Sequence, residues 1–298
     1  MRVFVTGATG FIGSVVVAEL TGAGHEVLGL ARSDASAEAL ATAGISVHRG
    51  SLEDHDSLRA GVAASDGVIH TAFIHDFSQF EANALVDRKA ITVMLDALEG
   101  SDKPFVAASG TMLSSLLVEV PEGDEAPFSG PGGIRAGSDA LVLRAASRGV
   151  RSSIVRLPPT VHGRGDKGFI PRLIEIARKS GYAAYIGDGA NRWPAVHRID
   201  AAHLFCLGLE KADAGSQLIA AAEEGIPMRS IAETIAKGLG TPVHSFAVNE
   251  AEAQFGWMSY FVGVDNFTTV NDVTANLGWH PGQVGLLEDM VQNGYFSA

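Results

Sequence analysis

The chain has 298 residues, 46% hydrophobic and 19% charged, with 22 Lys+Arg against 34 Asp+Glu and a formal net charge of −12. That length fits one large domain or two modest ones and leaves ample chain to bury a core, which excludes disorder as the dominant state. The acidic balance argues against nucleic acid as a partner, because displacing counterions from a phosphate backbone needs a strongly basic surface. One cysteine, Cys206, cannot form an internal disulfide; it sits in the apolar stretch Ala202–Leu207 and reads as a buried small residue in a reducing compartment. No uncharged run approaches the ~18 apolar residues of a membrane span, and the chain opens directly on strand-like Arg2-Val3-Phe4-Val5, so no membrane partner and a cytoplasmic location are expected.

Short β-branched runs then alternate with helix-length amphipathic stretches. Strands are expected at Arg2–Thr6, Glu26–Ala31, Ser46–Arg49, Gly67–Thr71, Phe105–Ser109 and Ser153–Leu157, with helices at about 12–22, 33–43, 55–64, 80–99 and 133–148. This is the pattern of an α/β fold, a doubly wound parallel sheet of the Rossmann type. After Leu157, Pro158-Pro159 and the Gly163–Asp166 turn break the alternation. A short helix follows at Phe169–Lys179, then helical stretches at 201–211, 228–239 and 270–277 and one strand at Gln217–Ala220. Residues 1–165, with 201–220 returning to them, are expected to form a dinucleotide-binding domain, and 166–200 with 221–298 a smaller substrate lobe. Asp200 is read as a helix N-cap.

Thr6-Gly7-Ala8-Thr9-Gly10-Phe11-Ile12-Gly13 lies directly after the first strand and directly before an apolar helix. Glycines there permit a tight turn and a close approach of backbone amides to a pyrophosphate, and the helix N-terminus supplies dipole and unpaired donors. The second strand ends Ala31-Arg32-Ser33, with alanine where an NAD-selective fold places an acid on the adenosine ribose. Arg32 and the Ser33 hydroxyl suit a 2′-phosphate, so NADP is the expected cofactor; Asp34 nearby keeps NAD as the alternative.

The Gly-x-x-Gly-x-x-Gly spacing resembles that of the extended short-chain dehydrogenase/reductase family, also called the NAD-dependent epimerase/dehydratase family. Further matches in order are Val68–Ala72, Pro158-Pro159-Thr160-Val161-His162-Gly163, Val196–Ala202 and Leu277-Gly278-Trp279-His280-Pro281. The resemblance implies that Ser51 and Leu52 lie against the adenine, that Thr71, Ala72 and Phe73 border the phosphates and ribose, and that Pro159, Thr160 and Val161 border the nicotinamide. The family often forms homodimers through the helices after the fourth and fifth strands, and the sequence leaves the oligomeric state open. The stripe Val86, Ile91, Met94, Leu98 fits that role, although covering the sheet demands the same stripe.

The family's acid is a Tyr with a Lys four residues on, assisted by a hydroxyl at the end of the fifth strand. Here the hydroxyl places hold Ser109 and Thr111, while the Tyr and Lys places hold Arg135 and Asp139. The family's helix Asn is also missing, the matching stretch reading Asp87-Arg88-Lys89-Ala90, so the chain resembles the atypical members that keep the cofactor turn and lack the active pair. A general acid is worth about 10²–10⁴ in rate, so its loss weakens the usual mechanism without abolishing hydride transfer. Candidate substitutes are Arg135 as a fixed cation oriented by Asp139, His197 or His162 as donors, and Tyr182 or Tyr185 folding over the cleft. No metal-ligand spacing occurs among the ten histidines.

The loops after the fourth to sixth strands offer Phe73, Ile74, His75 and Phe77, then Met112, Leu113 and Leu116, then Phe169, with 112–131 as a lid. They imply a small, mostly apolar carbonyl or imine substrate. The expected activity is an NADP(H)-dependent oxidoreductase with a nonstandard proton donor. The alternatives are a catalytically silent NAD(P)-binding regulator and, third, an epimerase, isomerase or dehydratase.

Overall fold

Val3, Phe4 and Val5 are fully buried, as a strand covered on both faces requires. In the computed structural model, which describes residues 1–74, 79–116 and 130–297, they form the middle of β1 (Arg2–Thr6). The chain continues through α1 (Gly13–Gly22), β2 (Glu26–Ala31), α2 (Asp34–Thr42), β3 (Ser46–Arg49), α3 (His55–Ala63) and β4 (Gly67–His70). Then come α4 (Phe80–Leu98), β5 (Pro104–Gly110), a 3₁₀ turn at Thr111–Leu116, α5 (Gly130–Arg144) and β6 (Arg151–Leu157). With β10 (Ser216–Ile219) the strands form a seven-stranded parallel sheet in the order β10-β6-β5-β4-β1-β2-β3. Helix starts follow local chemistry: Ser33 caps α2 and Asp54 caps α3 through the amide of Ser57 at 3.0 Å. The core joins Phe4, Leu58 and Val62 to Ile91, Met94, Leu98 and Phe105.

The contacts gather into two units. The first comprises Met1–Arg156, Ala201–Ile219 and Asn271–Trp279, and the second Leu157–Asp200, Ala220–Val270 and His280–Ala298. The division falls at Arg156 and not Gly165, because the segment after Leu157 pairs elsewhere: β7 (Thr160–His162) runs parallel to β9 (Arg192–His197). Asn271–Trp279 joins the first unit, not the later lobe, since Thr274 Oγ1 accepts the Ile219 amide at 2.7 Å and Asn271 Nδ2 donates to Gln217 O at 2.8 Å.

In the second unit β9 is flanked by β7 and β11 (Glu223–Pro227), and β8 (Ala183–Ile186) pairs with β12 (Val243–Phe246). Around them pack α6 (Phe169–Ser180), α8 (Met228–Leu239) and α9 (Leu286–Gln292). The sequence reading expected one strand beyond β6, so these short strands are additions to it. Asp200 is not an N-cap: α7 (Arg198–Lys211) already starts two residues earlier, and the carboxylate accepts the amides of Gly282 at 3.1 Å and Gln283 at 3.0 Å. Among the described residues no helix is long and apolar enough to cross a membrane.

Candidate functional site

The strand order reverses between β1 and β4, and in open α/β sheets ligands bind outside the carboxyl ends of the strands at such a point. There Gly7 adopts φ +71, and a Cβ on it would lie 2.7 Å from the Ala72 amide nitrogen. A Cβ on Gly13 would lie 2.0 Å from Gly7 O, so only glycine fits these two positions. Gly10 closes the turn, its amide donating to Gly7 O at 2.8 Å, and a Cβ there would meet only that oxygen at 3.1 Å. Thr9 and Gly10 are exposed, while Phe11 and Ile12 are half-buried. Helix α1 starts with no side-chain cap among the described residues and no acid in its first turn, so its own residues do not neutralise its positive end. These features fit the diphosphate of a nicotinamide dinucleotide.

Around the turn, the Thr71 hydroxyl donates to Thr6 O at 2.8 Å and ties the ends of β1 and β4. Arg32 is exposed beside the buried Ala31. Ser33 Oγ accepts the Ser36 amide at 3.2 Å as the α2 cap, and the Asp34 carboxylate is bonded by Arg49. Ser51 Oγ accepts the Glu53 amide at 3.3 Å, and the Leu52 side chain belongs to the hydrophobic core.

Beside it run two buried polar chains. In the first, Thr6 Oγ1 pairs with His70 Nδ1 at 2.7 Å, and His70 Nε2 donates to Asp87 Oδ1 at 3.0 Å. Asp87 Oδ2 accepts from Arg135 Nη1, while Arg135 Nη2 donates to Ala108 O at 3.1 Å. The Arg135 guanidinium also lies 4.8 Å from the centre of the Phe73 ring. Burial pushes the Asp87 carboxyl up, but Arg135 and His70 hold it below the usual carboxylate range.

In the second chain the Ser109 hydroxyl, at the end of β5, donates to Asp139 Oδ2 at 2.5 Å. Arg156 Nη1 donates to the same oxygen at 3.0 Å and to Ser109 Oγ at 3.3 Å, and Arg156 Nε donates to Gln217 Oε1 at 3.0 Å. Burial dominates Asp139 and raises its pKa despite Arg156 and the Ser109 hydroxyl. Thr111, two residues beyond Ser109, is buried.

This corrects one expectation directly: Asp139 does not orient Arg135, because Asp87 does and Asp139 is held by Ser109 and Arg156. Sequence reasoning passed over Asp87, His70 and Arg156. One signal existed, since Asp87 stands on the buried stripe of α4 with Ala84, Ile91, Met94 and Leu98.

Pro159, Thr160 and Val161 lie in the second unit, where buried Thr160 donates its hydroxyl to Pro194 O. His162 is buried with Nδ1 2.8 Å from Asp289 Oδ2. Its ring meets that of His197 edge-on at 5.3 Å. His197 Nδ1 accepts the Ile199 amide at 3.3 Å, and burial, helped by His162, lowers its pKa. Tyr182 donates to Gln254 Oε1 at 3.0 Å, and Tyr185 stacks under Arg229. His75, Phe77 and the lid segment from 117 to 129 fall outside the described residues, as does the Leu116 side chain.

The sequence pattern of the NAD dependent epimerase/dehydratase family matches residues 3–220. An uncharacterized protein of Schizosaccharomyces pombe is 48% identical over 99% of this chain and 100% of its own. The 2-alkyl-3-oxoalkanoate reductase of Stenotrophomonas maltophilia is 28% identical over 81% of this chain and 77% of its own. Among solved structures, the UDP-glucose 4-epimerase of Thermus thermophilus in complex with NAD superposes with a TM-score of 0.73 at 21% identity, over 99% of each chain.

Proposed function

The chain belongs to the NAD dependent epimerase/dehydratase family, and on that premise we propose that it is an NADP(H)-dependent oxidoreductase acting on a small, mostly apolar carbonyl or imine compound. The observation that carries this reading is the glycine turn at the β1/β4 reversal, whose close approaches exclude any side chain at Gly7 and Gly13. A relative named as an oxoalkanoate reductase favours reduction of an oxo group over sugar epimerisation. For the cofactor's 2′ position, Ala31 offers no acid, Asp34 is engaged by Arg49, and exposed Arg32 is the nearest cation in sequence.

The nicotinamide, when bound, supplies or accepts the hydride at carbon. In reduction the Ser109 hydroxyl, two residues before Thr111, gives its proton to the reacting oxygen or nitrogen and takes one from protonated Asp139, which solvent reprotonates; in oxidation the protons pass the other way. Arg156 fixes this carboxyl from its other side. Arg135, held by Asp87 and Ala108 O, places a fixed positive charge near Phe73 and the end of β5, where a developing oxyanion would be stabilised.

The test is NADPH consumption with aldehydes, ketones and imines, in the wild type and in Asp139→Asn. Turnover is expected with at least one carbonyl or imine class. The variant should lose about 10²–10⁴ in kcat with NADPH affinity intact, and should lose the ionisation of an elevated carboxyl from the pH–rate profile. Tight NADPH binding without turnover on any class would favour the silent regulator instead.

A further inference from the structure

The first unit carries a second cluster of reactive side chains, built by the α1–β2 connection and α7. His25 Nε2 lies 2.9 Å from Glu210 Oε1, and Cys206 Sγ lies 3.8 Å from that same oxygen. One ligand atom from each of the three residues falls within 4.8 Å of the others. Cys206 and Glu210 share a face of α7 with His203, whose Nδ1 is 2.7 Å from Glu19 Oε1 on α1. Two imidazoles, two carboxylates and the one thiol of the chain therefore meet at one place, although no spacing in the sequence announces it.

A tetrahedral zinc-type ion binds sulfur at about 2.3 Å, and nitrogen and oxygen at about 2.0–2.2 Å, which sets neighbouring ligand atoms about 3.2–3.7 Å apart. The observed 2.9 and 3.8 Å bracket that range for two of the three pairs, and the third pair lies within 4.8 Å. The thiol is buried. The Glu210 and Glu19 carboxylates gathered with it favour a divalent ion. Glu210 is exposed and provides the route of entry.

We propose that His25, Cys206 and Glu210 form a three-ligand site for a divalent transition-metal ion of zinc-like softness, with water in the fourth position. On binding, the Cys206 S–H proton is released to solvent, the His25 ring proton that faces Glu210 passes from Nε2 to Nδ1 by way of solvent, and sulfur–metal and nitrogen–metal bonds form with no change of oxidation state. Such an ion clasps α7 to the α1–β2 connection. The site is independent of the glycine turn.

Metal-free, tag-free full-length protein is titrated with Co²⁺ and then with Zn²⁺. One equivalent of Co²⁺ should give a near-ultraviolet thiolate-to-cobalt charge-transfer band and the intense visible bands of tetrahedral cobalt, both lost on adding Zn²⁺. Cys206→Ala should abolish the charge-transfer band and weaken Zn²⁺ binding by more than the about 10–100-fold typical of losing an outer-sphere partner. Glu210→Gln, at an exposed position that leaves the fold intact, should also weaken it. The absence of a charge-transfer band in the wild type, its persistence in Cys206→Ala, or Zn²⁺ affinity unchanged in Glu210→Gln would each overturn the assignment.

Discussion

A carboxylate in an apolar interior stays charged only when cations hold it, and the two buried aspartates near the end of β5 differ in how far they are held. Asp87 has Arg135 and His70, and its pKa falls; Asp139 has Arg156 and a serine hydroxyl, and burial prevails. Two carboxyls pushed in opposite directions suit separate duties, a fixed counter-charge and a group that exchanges protons.

Asp166 offers a cleaner titration. Burial raises it to about 6, although the Gly168 amide donates to it at 2.6 Å and the Tyr295 hydroxyl at 3.0 Å. A carboxyl whose folded pKa lies above its unfolded value of about 3.9 stabilises the fold fully below that value. That stabilisation is lost as pH rises through about 6. Chemical denaturation should therefore show declining stability across this window. Asp166→Asn should flatten the profile and, allowing for partial exposure, gain about 1–2 kcal/mol at neutral pH and above. A variant whose profile matches the wild type would refute this. At the adenosine end, Arg32→Glu should raise the KM for NADPH about 10–100-fold with little change for NADH, and equal effects on the two would dismiss the 2′-phosphate role.

At the scale of elements, the turn and α1 act as one device. Gly10 is exposed, and a Cβ there contacts only Gly7 O, so Gly10→Glu should leave the melting temperature within a few degrees of the wild type while placing a carboxylate where the diphosphate would sit. A collapse of the fold in this variant would show that the turn cannot take a side chain even at Gly10. The same device was the most legible part of the sequence, because its residues are contiguous and flanked by a strand and a helix of ordinary length. β1, β2 and β3 have the bounds that the sequence predicts. The second unit was opaque for a physical reason: its strands are interrupted by breakers, β7 following Pro158-Pro159, β9 carrying Pro194 and β11 carrying Gly225 and ending on Pro227. The polar chains were opaque because their members come from separate elements. Asp87 and Arg135 are 48 residues apart, and only the charge set into the α4 stripe pointed toward a partner.

For the whole molecule, a net charge of −12 opposes the approach of a polyanionic cofactor, so affinity must be generated locally. The proposed sources are the uncapped start of α1, the amides of a turn held open by glycine, and Arg32 just after β2. Loss of any one should weaken binding without altering the sheet that positions them. Calorimetric titration of the full chain with NADPH tests this most directly. Wild-type protein should take up one equivalent, more tightly than NADH, and Gly10→Glu should give no heat. Wild type that takes up neither nucleotide, or Gly10→Glu that binds as tightly as wild type, would contradict the assignment of the turn.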